Sequence, residues 1–428
     1  MTPIDCGNTT HAVMLDSANP RQNLLPHGMI ALCFLFGVLT RGINDCFPVF
    51  VPSVESEFAA SRAAVTSIYG LTMLAVGFAG PLIGLLLDRL GPRVLAIVGV
   101  IATAAAGLLA SQARELWHLH LAFGVGFGIG CASLGGIFQA AVLGRWFSAR
   151  LGTALAVAWS ANGVGVMVMA PLAEALIAQA GWRHAWLVLG AVTSLAIPIT
   201  LLLPWRRIIA GSADYARRRN MATQARSFGP TVGEALRAWP FWGFFICFAG
   251  TSVSMYALMP QVVALLVARG FSPAAAARVL AITGVMMPLG MIGFNWLADR
   301  GGRTFSAAAA YSCTAAGICA LWLVQSSDDI VAVGAFVVLL GSTMGSRGPM
   351  ISTLATLRYR GAHLGKIYGL ITCGMGVGAA IGAWGGGLLH DLTGGYGAVL
   401  GLSLVSLAIG AAPLVWEARQ RETVVALR

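Results

Sequence analysis

Long runs of apolar residues, separated by short polar turns, follow one another along almost the whole chain. Each run has about the 20 residues that an α-helix needs to cross the hydrocarbon core of a membrane. Backbone groups in lipid must be bonded within their own segment, and the period-two alternation of a membrane barrel is absent, so the runs predict helices. The twelve predicted helices cover residues 27–50, 62–87, 94–111, 116–143, 151–179, 182–204, 240–267, 273–298, 305–324, 330–357, 365–390 and 396–416.

One long polar stretch interrupts this pattern after the sixth helix. It carries seven Arg residues and predicts a hinge between two six-helix halves. Residues 1–27 lack the basic lead-in of a cleavable signal peptide, so the first apolar run is expected to stay as helix 1. The predicted divisions are an N-terminal tail (1–27), a first bundle (28–204), a central loop (205–239), a second bundle (240–416) and a C-terminal tail (417–428).

Composition and charge agree with a chain embedded in lipid. Hydrophobic residues make up 57% of it, charged residues 10%, and the mean hydropathy is +0.80, which is far more apolar than a soluble domain. The net charge of +11 follows from topology: with both termini in the cytoplasm, 20 Arg and Lys lie on the cytoplasmic side and five outside. By the positive-inside rule we predict cytoplasmic termini and no nucleic-acid partner.

The residues that usually carry enzyme chemistry are scattered. The eight cysteines show no metal-ligand spacing and lie mostly within apolar runs, which predicts neither a disulfide nor a metal site. No nucleophile–base set or cofactor-binding loop is present in the sequence. We therefore predict that the protein is not an enzyme and has no cofactor.

Two segments recur once in each half. GLLLDRLGPR (84–93), after helix 2, returns in altered form as NWLADRGGRT (295–304), after helix 8. LGTALAVAWSANGVG (151–165) aligns without gaps with LGKIYGLITCGMGVG (364–378), which pairs helix 5 with helix 11. Such parallel repeats indicate a duplicated six-helix unit, and they predict a binding site near the membrane midplane between the halves.

The decamer at 84–93 resembles the loop signature of the major facilitator superfamily, and its position after the second of twelve helices is the expected one. The resemblance implies an alternating-access transporter in which this loop is a latch of the cytoplasmic gate. Asp88 would hold a partner across the seam, the Arg residues would supply opposite charge, and the glycines would permit close packing and a tight turn. The implied gating residues are Gly84, Asp88, Arg89, Gly91 and Arg93, with Asp299, Arg300 and Arg303 in the copy.

Within the superfamily the chain resembles the monocarboxylate and oxalate:formate branch. The resemblance rests on WFSARLGTALAVAWSANGVG (146–165), PLAEALIAQAGWR (171–183) and EFAASRAAV (57–65). The Gly-Pro motif in helix 5 and the Arg within helix 4 that typify drug antiporters are missing. The chain also departs from its own branch, because helix 8 has Met286, Met287 and Met291 in place of an embedded ion pair and helix 11 has no embedded Lys.

Charged residues deep in the apolar runs are the strongest candidates for a binding site. An ionisable side chain at mid-membrane costs about 2.5–3.5 kcal/mol on insertion scales, so it marks a functional position by default. Three lie well inside a predicted helix: Arg41 and Asp45 in helix 1, and Arg347 in helix 10. The resemblance implies that both helices line the cavity. Because a guanidinium matches a carboxylate bidentately, we predict that Arg41 and Arg347 bind an anionic substrate from opposite halves.

Alternatives are open for several of these residues. Asp45, four residues after Arg41, is either the proton acceptor or a permanent ion-pair partner of Arg41. Arg347 is either a substrate ligand or a brace for backbone carbonyls. Tyr69, Asn162 and Tyr256 fall near mid-helix and either orient a substrate or bond helix to helix.

The function that these features favour is proton-coupled uptake of a small organic anion of the monocarboxylate type. A neutral or aromatic nutrient such as riboflavin is an alternative cargo, and efflux of amphiphilic compounds is an alternative direction. A membrane receptor that binds without transport is a third class. The predicted partners are a small-molecule substrate, protons and membrane lipid, and a functional monomer in a plasma or inner membrane is expected.

Overall fold

The protein folds as a bundle of long helices. The structure, a computed structural model, describes residues 20–147, 151–212, 230–346, 351, 355, 358–359 and 363–426. Every regular element within these ranges is a helix. Ten of the described helical stretches are long and apolar enough to cross a membrane. The all-helical class is confirmed, whereas the number of twelve crossings and the side of the termini stay predictions.

The first half has helical segments at all six predicted positions, numbered α1 to α6. α1 begins as Pro20–Gly37 and continues through Val38–Gly42, Ile43–Asp45 and Phe47–Val49. α2 (62–90) and α3 (92–111) are the two parts of Arg62–Ser111, α4 is Leu116–Leu143, and α5 (151–180) and α6 (182–202) are the two parts of Leu151–Leu202. Short helices Val51–Phe58 and Trp205–Ala210 follow α1 and α6.

The second half is numbered α7 to α12 in the same way, after a short helix at Val232–Arg237. Its segments are α7 Trp239–Ala268, α8 Pro273–Gly301, α9 Arg303–Leu323, α10 Ile330–Met344, α11 Leu364–Thr393 and α12 Gly397–Ala426. α12 continues beyond its expected end at 416. α10 is described as a helix to Met344, although the predicted helix runs to 357.

Glycines with positive φ separate the long helices at the junctions that the sequence predicts. Gly91 (φ +77°) lies between α2 and α3, Gly181 (φ +83°) between α5 and α6, and Gly302 (φ +85°) between α8 and α9. Gly91 and Gly302 occupy the same position in the two copies of the decamer. This shared backbone conformation supports the internal duplication, because non-glycine residues rarely adopt it.

The two halves contact each other along two helix pairs, α2 with α11 and α5 with α8. A Cβ atom placed on Gly77 of α2 would lie 2.7 Å from the Cα atom of Gly376 in α11, so the backbones touch there. Gly163 of α5 and Gly284 of α8 meet in the same way. Small residues allow helix backbones to approach closely in a membrane, where packing must hold the helices together.

The two glycines of the first decamer make a matched pair for a stability test. Gly91 has a φ that L-residues avoid, whereas Gly84 is helical, and among the described residues no atom lies within 4 Å of a Cβ placed on it. We expect Gly91→Ala to destabilise the protein by about 1–3 kcal/mol because alanine is strained there. Gly84→Ala should be neutral or stabilising by up to about 1 kcal/mol, because alanine favours helix.

The measurement is the melting temperature of each variant purified in one detergent. Equal melting temperatures for the two variants would contradict the assignment of Gly91 as the turn residue.

Candidate functional site

A cavity of about 190 Å³ lies between the two halves. Its wall is built from α1, α2 and α5 on one side and from α7, α8, α10 and α11 on the other. The wall includes five residues that sequence reasoning selects as substrate or proton ligands, namely Arg41, Asp45, Tyr69, Asn162 and Tyr256. The fold therefore brings together side chains from helices that are distant in sequence, and their individual roles stay predictions.

Arg41 stands in an irregular part of α1. Residues Val38–Gly42 form a π-helical turn, and after Asp45 the chain tightens into a 3₁₀ turn at Phe47–Val49, which contains Pro48. π-helical turns within α-helices are frequent at functional sites. A Cβ atom placed on Gly42 would lie 2.6 Å from the Cα atom of Gly165, so α1 crosses α5 in backbone contact directly beside Arg41.

Arg41 and Asp45 form an ion pair on the cavity wall. Nη2 of Arg41 lies 3.2 Å from Oδ2 of Asp45, and the side chains are 21% and 17% exposed. Nη1 of Arg41 lies 3.3 Å from the sulfur of Met73. The sequence prediction that the two charges share one helical face is therefore matched in the structure, and the pair remains accessible from the cavity.

The Asp45 carboxylate has two further hydrogen-bond donors. The Tyr69 hydroxyl donates to Oδ1 at 2.7 Å, and Nδ2 of Asn44 donates to the same oxygen at 3.0 Å. Charge-assisted bonds of this kind are stronger than neutral ones. The carboxylate is thus held in one orientation while its partner Arg41 faces the cavity.

Aromatic rings surround this ion pair. The ring of Tyr69 lies 5.7 Å from that of Tyr256 and is stacked on Phe47 at 5.9 Å, measured between centroids. Tyr256 is close enough to interact with the charge of Arg41. Asn162 lies half-buried on the α5 part of the wall. The two tyrosines come from opposite halves, so relative movement of the halves changes their contact.

Arg347 lies outside the described residues. Met344 and Ile351, which precede and follow it in the chain, both line the cavity. α10 therefore reaches the cavity wall from the second half, and the role of Arg347 stays a prediction.

The predicted cytoplasmic latch is open to solvent where the structure describes it. Asp88, Arg89 and Arg93 are exposed, and none of them belongs to the four ion pairs of the described part. Gly91 makes the turn after α2. In the copy, Arg300 lies 4.4 Å from the centroid of the Trp296 ring, and the side chains of Asp299 and Arg303 lie outside the described part.

At the opposite end of the bundle the two halves are joined by a contact that sequence reasoning missed. Asp391, near the end of α11, accepts hydrogen bonds from the backbone N–H groups of Arg62 (3.0 Å) and Ala63 (2.9 Å) at the start of α2. Ser61 accepts from the N–H of Ala64 at 3.2 Å. Three of the four N–H groups that a helix start leaves unpaired are thus bonded, two of them by the other half of the protein.

Side chains around Arg62 extend this contact, which we call the outer closure because the sequence predicts that this end of the bundle lies outside. Arg62 pairs with Glu55 and donates to the hydroxyl of Tyr396 at 2.9 Å. Burial raises the pKa of Glu55, although Arg62 acts in the opposite direction. Within the first half, Glu57 pairs with Arg183, and the hydrogen bond from Arg183 lowers the pKa of Glu57.

Only one side of this contact, the start of α2, is recognisable in the sequence. Ser61 before the apolar run marks the start of helix 2, and a helix start attracts negative charge. The carboxylate that satisfies it is 329 positions away, and no local pattern connects the two.

These features define a helical membrane carrier with a central site between two related halves. Residues 30–370 match the family model of the Major Facilitator Superfamily, and the chain belongs to this family. It is therefore a membrane transporter and not an enzyme, as the sequence predicts.

Three similar curated proteins carry the name monocarboxylate transporter. Monocarboxylate transporter 12 of Mus musculus is 29% identical over 294 residues, which cover 64% of this chain and 60% of the mouse protein. Monocarboxylate transporter 13 of Bos taurus is 27% identical over 393 residues, with 90% of this chain and 88% of the bovine protein covered. Monocarboxylate transporter 11 of Mus musculus is 27% identical over 380 residues, with 86% and 82% covered. The match thus spans less than two thirds of the first of these relatives.

Proposed function

We propose that the protein takes up a small organic anion together with a proton by alternating access. In this proposal twelve helices cross a plasma or inner membrane as two six-helix halves, 28–204 and 240–416, both termini are cytoplasmic, and the monomer is the working unit. The observation that carries the proposal is the Arg41–Asp45 ion pair on the wall of the central cavity. The names of the related proteins agree with a monocarboxylate cargo.

Charge balance supplies the coupling. Arg41 is neutralised by Asp45, whose Oδ2 atom lies 3.2 Å from Nη2 of Arg41. A substrate carboxylate competes for the same guanidinium, and two negative charges beside one cation in an apolar site are unfavourable. A proton on Asp45 removes that repulsion, and the Arg41 guanidinium then binds the substrate carboxylate. One proton and one monovalent anion then bind together, and the loaded site carries the same net charge as the empty one.

Three further residues complete the proposed site. The Tyr69 hydroxyl, which donates to Asp45 at 2.7 Å, holds the carboxylate in position for proton exchange. Tyr256 and Asn162 orient the substrate from α7 and α5. Arg347 is proposed as the second substrate ligand, because its chain neighbours Met344 and Ile351 line the cavity.

The gating that we propose uses the two ends of the bundle in turn. The outer closure joins α2 to α11 across the halves, while Asp88, Arg89 and Arg93 of the predicted cytoplasmic latch are exposed. This arrangement supports a state that is closed outside. In the alternate state the Asp391 contact breaks and the loop at 84–93, with Asp299, Arg300 and Arg303 in its copy, closes the cytoplasmic end.

The direct test is uptake into vesicles that contain the purified protein, with protein-free vesicles as background. The panel consists of labelled monocarboxylates, dicarboxylates, aromatic acids and riboflavin, each with and without an inward proton gradient. We expect accumulation of an anion only with the gradient. Gradient-independent uptake of riboflavin alone would overturn the proposal.

Removing the Asp391 carboxylate is expected to shift the protein toward the state that is open outside. Loss of a helix cap costs about 1–2 kcal/mol, which changes the ratio of two states about 5- to 30-fold. The measurement is the distance distribution between spin labels on cysteines placed at Ser56 and Thr393 in a cysteine-free, transport-active background. Asp391→Ala should add a population at longer distance.

Asp329 provides the matched control for this experiment. Its carboxylate also accepts two backbone N–H groups, from Gln325 and Ser326, but these belong to its own half. Asp329→Ala should leave the distance distribution unchanged. An unchanged distribution in Asp391→Ala as well would show that the cap does not hold the closure.

A further inference from the structure

The two halves line the cavity with different chemistry. The charged residues of its wall, Arg41 and Asp45, both belong to α1 in the first half. The second half contributes thioether side chains from four helices to the same wall. These methionines, the methionine wall, are Met255, Met259, Met287, Met344 and Met375.

Two hydroxyl groups from the second half of the cavity wall are bonded within the protein. The Thr251 hydroxyl is 2.8 Å from the Tyr311 hydroxyl, and the Thr283 hydroxyl donates to the backbone oxygen of Val279 at 2.8 Å. A substrate that extends away from Arg41 therefore meets methyl and thioether groups. Phe248 adds an aromatic ring to this surface.

The cavity volume sets the size of the group that this surface accommodates. An apolar protein cavity of about 150 Å³ is large enough to bind benzene, and the volume here is about 190 Å³. There is room for one aromatic ring and a short carboxylate arm. A carboxylate of three carbon atoms would leave most of the methionine wall without contacts, and unfilled apolar space loses dispersion energy.

Methionine is suited to a planar and polarisable partner. Its thioether adapts to irregular shapes and makes favourable contacts with aromatic rings. We propose that the substrates are monocarboxylates with an aromatic ring, bound with the carboxylate at Arg41 and the ring against the methionine wall. This proposal rests on the proposed function, because it assumes that Arg41 binds an anion.

The test is calorimetric titration of the purified protein with phenylacetate, lactate and phenylacetamide. Phenylacetate should bind about ten- to a hundredfold more tightly than lactate, because its ring buries apolar surface. The neutral phenylacetamide should bind more weakly than phenylacetate. Met287→Gln and Met375→Gln should each reduce the preference for phenylacetate over lactate about two- to tenfold, whereas Met375→Leu should retain most of it.

Met167 is the control position, because it lies in α5 outside the cavity wall and is 39% exposed. Met167→Gln should leave the ratio of the two affinities unchanged.

Lactate binding as tightly as phenylacetate would overturn the aromatic assignment and leave the proposal of an anion carrier in place. Phenylacetamide binding as tightly as phenylacetate would overturn the anion carrier and leave the methionine wall as an aromatic site. Absence of binding by all three compounds would overturn the inference.

Discussion

Replacing Arg41 with alanine is expected to abolish measurable anion binding. The guanidinium lies on the cavity wall, where Asp45 is its ion-pair partner, and the proposed substrate replaces Asp45 in a charge-assisted pair. Truncating one member of a buried, hydrogen-bonded charge pair costs about 2–5 kcal/mol, which is about 30- to 4,000-fold in affinity. The measurement is the Kd of lactate and of phenylacetate, together with proton-driven uptake by the same preparation. Arg41→Lys should restore only part of the affinity, because an ammonium group lacks the planar fork.

Arg278 is the matched control for this substitution. It is exposed in α8, and its Nε bonds the backbone oxygen of Ala274 in its own helix. Arg278→Ala should bind both acids like the unmodified protein. If Arg41→Ala, shown by its melting curve to be folded, bound them within twofold of the unmodified protein, Arg41 would not be the anion ligand.

Asp45→Asn is expected to separate transport from the proton gradient. An asparagine is neutral at all pH values, so it imitates the protonated carboxylate and leaves Arg41 without its internal anion. Binding should then become independent of pH, and exchange of labelled for unlabelled anion across the vesicle membrane should persist. Accumulation of the anion should be lost in the variant. In the unmodified protein, cotransport of one proton per anion allows the anion to become about tenfold more concentrated inside the vesicle for each unit of pH difference. The variant should reach only equal concentrations on the two sides. The measurements are the steady-state uptake ratio and the exchange rate in vesicles.

Glu174 tests whether any carboxyl group in a helix has this effect. It lies in α5 and does not line the cavity wall. Glu174→Gln should keep tenfold accumulation per pH unit. If Asp45→Asn also kept it, the proton would be carried elsewhere, and the Arg41–Asp45 pair would be the permanent ion pair that the sequence leaves open as an alternative.

Much of the fold could be predicted from the sequence because lipid imposes one rule on every segment. A long apolar run must be helical, so helix positions follow from hydropathy, and glycines such as Gly91 and Gly302 mark the breaks. The charged part of the site could be predicted for the same reason. An arginine at mid-membrane is costly enough to indicate a function, and Arg41 and Asp45 do lie together on the cavity wall.

The remaining features depend on contacts between distant segments. The spacing of Arg41 and Asp45 predicts a shared helical face. It does not predict the π-helical turn that contains Arg41. That turn adjoins the point where the backbone of α1 crosses Gly165 of α5. The methionine wall is assembled from four helices, and each methionine alone has the pattern of an ordinary core residue. The sequence predicts gating in the loop at 84–93, which stays a prediction, but it does not predict the hydrogen bonds of Asp391 to the start of α2.

The bonds that Asp391 makes have a consequence for how this carrier can vary. On the α11 side they require a particular carboxylate, but on the α2 side they use only main-chain N–H groups, which every residue except proline provides at positions 62 and 63. Exchange of the Arg62 side chain would therefore remove its bond to Tyr396 and leave the main-chain bond to Asp391 in place. The outer closure thus has one part that depends on the side chain at position 62 and another part that depends only on the Asp391 carboxylate.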